Sequence, residues 1–339
     1  VGLKIVNDPR SLMNQIGGAE KALGNLFEGN TEASIVLENI DADGVVVPGE
    51  HFRNNRIYYS GVHARNELPD VRDAVPKGVG VLLDECIGVA FGGGQENANE
   101  FAFNNVGIYL NNSVGCVIQG ARIDESLVAG IVCRNGFKNQ IGGADRESAN
   151  ILTRNGNISI LREGAVMIAG GEGNLVGNNI IGSRDPQSNG GNRGDGIYVF
   201  NSLGNTIGHG ARSLGNLISK NQGNGIHLEG AEARLNIIAG NEIGTTARFD
   251  PDSGKEHPGN EGDGIRLEAE VTSNQIGGSV EDIVNGAVAE RVSPNEIANN
   301  KGAGVSVLGG AGSGISILHN GIYNNSRSGI EVAGSAAAS

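Results

Sequence analysis

Between His51 and Asp73 the chain concentrates the side chains that acid–base and ionic chemistry uses: His51, Arg53, Arg56, Tyr58, Tyr59, His63, Arg65, Glu67, Asp70, Arg72 and Asp73. Two of the six histidines and two of the five tyrosines fall here. A Tyr, His or Arg of tuned pKa can serve as the base of a β-elimination, and Arg pairs with carboxylates through a planar fork. His51, Arg53, Tyr58, Tyr59 and His63 are therefore the catalytic candidates, and Arg56, Arg65 and Arg72 the candidates for holding an acidic glycan. The competing reading is a charged, solvated loop. Asp250, Asp252 and Glu256 gather oxygen ligands of the kind Ca²⁺ takes, without the complete twelve-residue EF-hand pattern. Beyond Ca²⁺ at that loop, no cofactor is indicated. Asp195 and Asp263 stand in matching Gly-Asp-Gly-Ile segments and could face one groove as paired carboxylates. Asn224 and Ala303 hold the same position in other segments, which favours a turn role.

The elements that position these groups are written in the composition. Of 339 residues 57 are Gly and 40 are Asn, with 8 Pro and no Trp. Such a chain is poor in helix formers, and without a Gly at every third position it is not collagen. Its 38% hydrophobic content is spread evenly and is enough for a core, which argues against disorder. A net charge of −13 and the absence of a basic stripe exclude a nucleic-acid surface. No apolar run is long enough to span a membrane. Cys86, Cys116 and Cys133 lack metal-ligand spacing and read as buried free thiols.

A repeat explains the glycines and asparagines. The segments Gly225-Ile226-His227-Leu228, Gly304-Val305-Ser306-Val307 and Gly329-Ile330-Glu331-Val332 are each preceded, nine residues upstream, by Asn216, Asn295 or Asn320. The unit is N-x-I-x-x-N-x-x-x-G-I/V-x-L/V. A further Asn precedes each unit at a spacing that alternates. It is eleven residues for Asn14 to Asn25, Asn139 to Asn150 and Asn205 to Asn216, and five for Asn174 to Asn179 and Asn236 to Asn241. Each circuit thus has three short strands, and two circuits make one period. Long-spaced circuits begin near Gly2, Gly80, Gly130, Gly196 and Gly264, which gives five double repeats or about ten coils. Strands this short bury a face only by stacking on the next coil. Residues such as Tyr198, His227, Arg266 and Glu331 then point outward. Asn is expected to bond local backbone, tolerate left-handed geometry and stack in ladders, and Gly to supply positive φ at corners. The insertions 58–77, 182–193 and 244–261 all follow the last strand of a short-spaced circuit and should leave the solenoid at one corner.

These residues resemble the right-handed parallel β-helix repeats of the pectin-lyase-like superfamily. They are most similar to the N-x-I-G-G…N-x-I…G-D/N-G-I arrays of secreted or surface-exposed bacterial proteins. The resemblance covers nearly the whole chain and implies an all-β, single-stranded, right-handed parallel β-helix over residues 1–333, with 334–339 as a flexible tail. The superfamily holds lyases, hydrolases, epimerases, tailspikes and adhesins, so fold alone does not select a function. Ile207-Gly208-His209-Gly210 resembles the G-H-G signature of its polygalacturonases. Register instead makes His209 an insertion in a repeated turn.

The function expected from the sequence is a non-catalytic, extracellular or cell-surface module of bacterial type that presents loops from a rod and contacts a polysaccharide or cell-surface glycan. One alternative is a polysaccharide lyase or hydrolase acting on an acidic glycan, with its site in the 50–73 insertion. The other is a fibre or sheath subunit that associates end to end, or a piece of a longer array with flanking β-helix domains, because Gly2–Ile5 and Gly329–Val332 are core repeats. The enzyme reading requires His, Tyr, Arg or paired carboxylates to converge.

Overall fold

A computed structural model describes residues 1–7, 15–18, 20–42, 52–61, 70–156, 164–183, 190–209, 214–245, 259–278, 283–284, 287–288 and 293–334. Within them the third to tenth circuits each give one short strand to each of three parallel sheets, and the first two circuits meet on the second side through the single bridge of Ile16 with Phe52. The first sheet collects the G-I/V-x-L/V segments, eleven strands in chain order from Leu3–Val6 to Ile330–Val332. The second sheet has eight strands and the third has ten. Eleven rungs enclose ten circuits, the number the spacing predicts, and at about 4.8 Å per rung they span about 48 Å. The solenoid is a right-handed parallel β-helix, the hand that twisted strands favour in crossovers between parallel neighbours.

The core is a stack of aliphatic columns. Ile197, Ile226 and Ile265 lie in register on successive rungs, as do Val199, Leu228 and Leu267, and all six are buried. Each such side chain contributes about 1.5–3 kcal/mol by leaving water, and no strand could realise that alone. The double repeat is visible in the second corner of alternate circuits. There the long spacing accommodates a 3-10 turn at Lys21–Leu23, Gln95–Asn97 or Arg146–Ser148. Beyond the second sheet in the ninth circuit, a small antiparallel pair joins Ile283–Val284 to Ala287–Val288.

Three asparagine ladders run along the three corners. Asn150, Asn179, Asn216, Asn241, Asn295 and Asn320 are linked Nδ2 to Oδ1 in succession at 2.9–3.0 Å. Asn155, Asn192, Asn221, Asn260, Asn300 and Asn325 form a second run. Asn139, Asn174, Asn205, Asn236 and Asn274 form the third. Among non-glycine residues, left-handed backbone falls most often to other asparagines, among them Asn39, Asn112, Asn135 and Asn201 just after first-sheet strands. The glycines divide in the same way. Gly142 has φ +110°, as a corner requires. Gly196, at a strand start, has no positive φ. A Cβ there would lie 2.5 Å from Ile218 Cγ2 and 2.6 Å from the Gly225 carbonyl oxygen, so close packing excludes a side chain. The expectation of positive φ at corners holds for glycines such as Gly142, and the strand-start glycines answer a different need.

The insertions leave at the corner between third and first sheets, between strands Arg56–Tyr58 and Val79–Asp84, Asn179–Gly182 and Asp195–Phe200, and Glu242–Ile243 and Ile265–Glu268. The described end of the first insertion is docked rather than solvated. Val71 is 1% exposed against an outer apolar cluster with Val36, Tyr109, Val132, Met167 and Tyr198. The outward row of the first sheet is apolar over these coils and would otherwise face water.

Candidate functional site

Two polar constellations use outward positions, one on the third sheet and one on the first. On the third sheet, Arg56, Glu100 and Arg122 occupy successive rungs of one outward row, and Tyr58, Ala102, Asp124 and Thr153 those of the next. A groove of about 320 Å³ opens over Tyr58, Glu100, Arg122, Asp124 and Ile151. A second hollow of about 240 Å³, toward the 3-10 turn, shares Glu100 and Arg122 with it and adds Lys21 and Gln95. Together they form one trough crossing several rungs.

Internal bonds hold the trough's principal polar groups. Lys21 Nζ donates to Glu100 Oε1 at 2.5 Å and the Tyr58 hydroxyl to Glu100 Oε2 at 3.1 Å. Burial pushes the Glu100 carboxyl upward, and the bonds and charge of Lys21 with the Tyr58 hydroxyl outweigh it, holding the group below its ordinary range. Burial, and then the charge of Glu100, raise the Tyr58 phenol. Arg122 Nε donates to Gln95 Oε1 at 3.0 Å. Asp124 accepts from Thr153 Oγ1 at 2.8 Å and is paired with Arg154. Floor, ring and fixed donors suit the apolar face and hydroxyls of a sugar.

On the first sheet, Tyr198, His227, Arg266, Ser306 and Glu331 are in register in one outward row, and Phe200, Glu229 and Glu268 in the neighbouring one. His227 is 4% exposed, and its Nδ1 lies 2.8 Å from Asp195 Oδ2. Its Nε2 is 3.2 Å from Glu268 Oε1 but out of line, and makes no hydrogen bond. The Tyr198 hydroxyl donates to Glu229 Oε2 at 2.6 Å, and its ring lies 5.1 Å from that of His227. Arg266 grips Glu268 Oε2 through Nε at 2.9 Å and Nη2 at 2.8 Å. Asp195 and Asp263 share an outward column with Asn224 between them. Asp195 Oδ1 accepts from the Asn224 backbone N–H, Asn224 Oδ1 from that of Asp263, and Asp263 Oδ1 from that of Ala303. The turn reading thus describes their Oδ1 atoms, while Asp195 Oδ2 turns to His227.

The structure separates the residues of the 50–73 segment. Tyr58 lines the trough, and Arg56 is exposed on the rung beside Glu100. Arg53 sits half-buried at the corner before it. Tyr59 is 40% exposed at the opposite corner and stacks on Phe103 with centroids 4.9 Å apart. Arg72 lies over the first sheet, held by Asp70 at 2.5 Å, 4.6 Å from the Phe200 ring centre and 3.3 Å from the Tyr198 hydroxyl. His51, His63, Arg65, Asp250, Asp252 and Glu256 lie outside the described residues. His209 falls at the corner after strand Thr206–Gly208, where register places it. Sequence reasoning marked Tyr198 and His227 only as outward residues and missed Glu229 and Glu268. Aligning G-D-G-I-Y-V-F, G-N-G-I-H-L-E and G-D-G-I-R-L-E column by column would have exposed the group. The three cysteines are buried free thiols, as the sequence indicates.

No known sequence family matches the chain, and no curated protein does. Among solved structures it is similar to a mutant of the periplasmic alginate epimerase AlgG, at 13% identity and a TM-score of 0.39, over 89% of this chain and 69% of that one. It is also similar to the A-module of the Azotobacter vinelandii mannuronan C-5 epimerase AlgE6, at 12% identity and 0.35, over 98% and 83%. A third is tailspike protein 3 of bacteriophage CBA120, at 11% and 0.28, over 94% and 48%. No helix among the described residues is long and apolar enough to cross a membrane. By its three stacked parallel sheets and in-register repeat, the chain is a right-handed parallel β-helix repeat protein.

Proposed function

We propose that the chain is a non-catalytic module that binds an extended polysaccharide along the outer face of its third sheet. The observation that carries this is the trough over Tyr58, Glu100 and Arg122, which crosses several rungs and in which Glu100 is held by Lys21 and Tyr58 and Arg122 by Gln95. An extended glycan laid across a flat parallel sheet meets the same outward positions rung after rung. The Tyr58 ring offers a face to a sugar, Arg122 a fork for a uronate carboxylate, and Glu100 and Asp124 acceptors for hydroxyls. Their hydrogen bonds and ion pairs set these groups in place before binding, which lowers the cost of ordering them. A rod with such a surface serves outside the cytoplasm, in the periplasm or at the cell surface.

The catalytic alternative would take its base from the His227 group, where Tyr, His, Arg and carboxylates converge as that reading requires. His227 is enclosed, however, and not presented to a polymer. The test is calorimetric titration with a polyuronide panel, run beside an ultraviolet assay for unsaturated products. Saturable binding is expected, weakened by added salt and lost in Tyr58→Ala and Arg122→Ala, with no product. Unchanged binding in both variants would overturn the trough. Accumulating unsaturated product would overturn the non-catalytic reading.

A further inference from the structure

The first-sheet group is distinct from the trough and has the build of a metal centre. We propose that His227, Glu229 and Glu268 bind one divalent first-row transition ion such as Zn²⁺. One ligand atom from each of the three can be chosen so that all lie within 4.8 Å of one another. The buried Nε2 of His227, without a hydrogen bond, faces this space. A buried imidazole nitrogen left unmatched costs free energy unless something fills its lone-pair direction.

The surrounding contacts prepare the ligands. Asp195 Oδ2, 2.8 Å from Nδ1, places the ring hydrogen on Nδ1 and the lone pair on Nε2. This carboxylate–histidine arrangement is the usual outer support of a metal-bound imidazole. Tyr198 fixes Glu229 by its Oε2, and Arg266 fixes Glu268 by its Oε2. Glu268 Oε1 is thereby held toward His227. Zinc bonds of about 2.0–2.2 Å put tetrahedral neighbours about 3.3–3.5 Å apart. The 3.2 Å between His227 Nε2 and Glu268 Oε1 is close to such an edge, and Glu229 supplies the third ligand from the same cluster. One imidazole with two carboxylates selects a transition ion over Ca²⁺, which takes six to eight oxygens. The occupant that competes with a metal is a proton on Nε2.

The test uses the whole chain, stripped by chelator and titrated calorimetrically with Zn²⁺ alone and, separately, with Ca²⁺. One Zn²⁺ per chain is expected, with binding weakened roughly tenfold or more in His227→Gln and in Glu268→Gln. A second readout needs no variant. In wild-type chain with nitrogen-labelled histidine, Zn²⁺ should shift the Nε2 resonance of one imidazole while its Nδ1 stays protonated. Absence of saturable binding, binding unaltered in both variants, Ca²⁺ binding as tightly as Zn²⁺, or no perturbed Nε2 resonance would each overturn the site.

Discussion

The side-chain amide of Asn216 donates to Oδ1 of Asn241 on the next coil at 2.9 Å, and the backbone N–H of Asn216 reaches the same oxygen at 3.2 Å. Asn216 in turn accepts both donors of Asn179 through its own Oδ1, and donates to the Val176 carbonyl at 2.7 Å. One amide therefore satisfies buried groups on three coils. Asn216→Ala removes it and leaves the Asn179 N–H and the Val176 carbonyl short of partners in a dry corner. At about 1–3 kcal/mol for a buried orphan, denaturant titration should show a loss of about 2–4 kcal/mol. Asn325→Ala, at the half-buried last position of the neighbouring ladder where no further Asn follows, should cost less, about 1–2 kcal/mol. Equal losses at both positions would mean that the ladders are not the stabilising element.

Gly196→Ala tests close packing as the reason for the strand-start glycine. The methyl would sit 2.5 Å from Ile218 Cγ2, so overpacking should cost about 1–3 kcal/mol although the backbone is ordinary. Gly204, by contrast, has φ +61° and nothing within 4 Å of an added Cβ. Gly204→Asn should stay within about 0.5 kcal/mol, because Asn tolerates the left-handed region. If the two results came out reversed in a stability measurement, positive φ would be the stricter requirement at 204 and close packing would not be what excludes a side chain at 196.

Much of this architecture is legible in the sequence because a repeat states each rule many times. The Ile–Leu alternation of G-I-x-L fixes the inward faces, and the alternating Asn spacing fixes corners, double repeat and insertions. What escaped was side-chain association across rungs. Asp195, His227 and Glu268 lie on three successive coils, tens of residues apart in the chain, and their grouping follows from an outward register that no single repeat displays. The 50–73 insertion misled in the opposite sense. Its candidates are neighbours in sequence, yet a strand and two corners send Arg56, Tyr59 and Arg72 to different faces of the solenoid. Glycine serves two needs that composition does not separate, since a missing Cβ answers both a backbone angle at corners and an approaching Ile methyl at strand starts.

The docked end of the first insertion should be acid-sensitive. Hydrogen bonds from Arg72 hold the Asp70 carboxyl below the usual carboxylate range, against the upward push of burial. A group whose folded pKa is depressed adds stability above its unfolded value, about 3.9, and loses it as pH falls through the folded value. Wild type should therefore lose more stability than Asp70→Asn as pH is lowered from about 5 toward 2. The lost contacts are those of Val71, whose carbonyl accepts from the Tyr109 hydroxyl at 2.6 Å, so proteolytic cleavage near residues 70–77 should rise in parallel. Identical pH profiles for the two proteins would show that this pair does not anchor the segment.

The thiols report on the core itself. Burial pushes Cys86 up to about 11, and Cys116 and Cys133 up to about 12. A thiol with pKa near 12 is about 10⁻⁴ thiolate at pH 8, and the thiolate is the reactive form. Cys133 also takes part in the corner packing, with Asn139 Nδ2 3.6 Å from its sulfur. Disulfide-exchange reagents at pH 8 should therefore leave all three untouched in the native chain and titrate three on denaturation. Because the thiols sit on neighbouring coils of one stacked core, their exposure should follow the same denaturant transition as the loss of β-sheet circular dichroism. Rapid labelling of Cys133 in the native protein would mean that the coils open locally around it, and the continuous column from Ile35 to Val305 would then have to be divided into separate cooperative units.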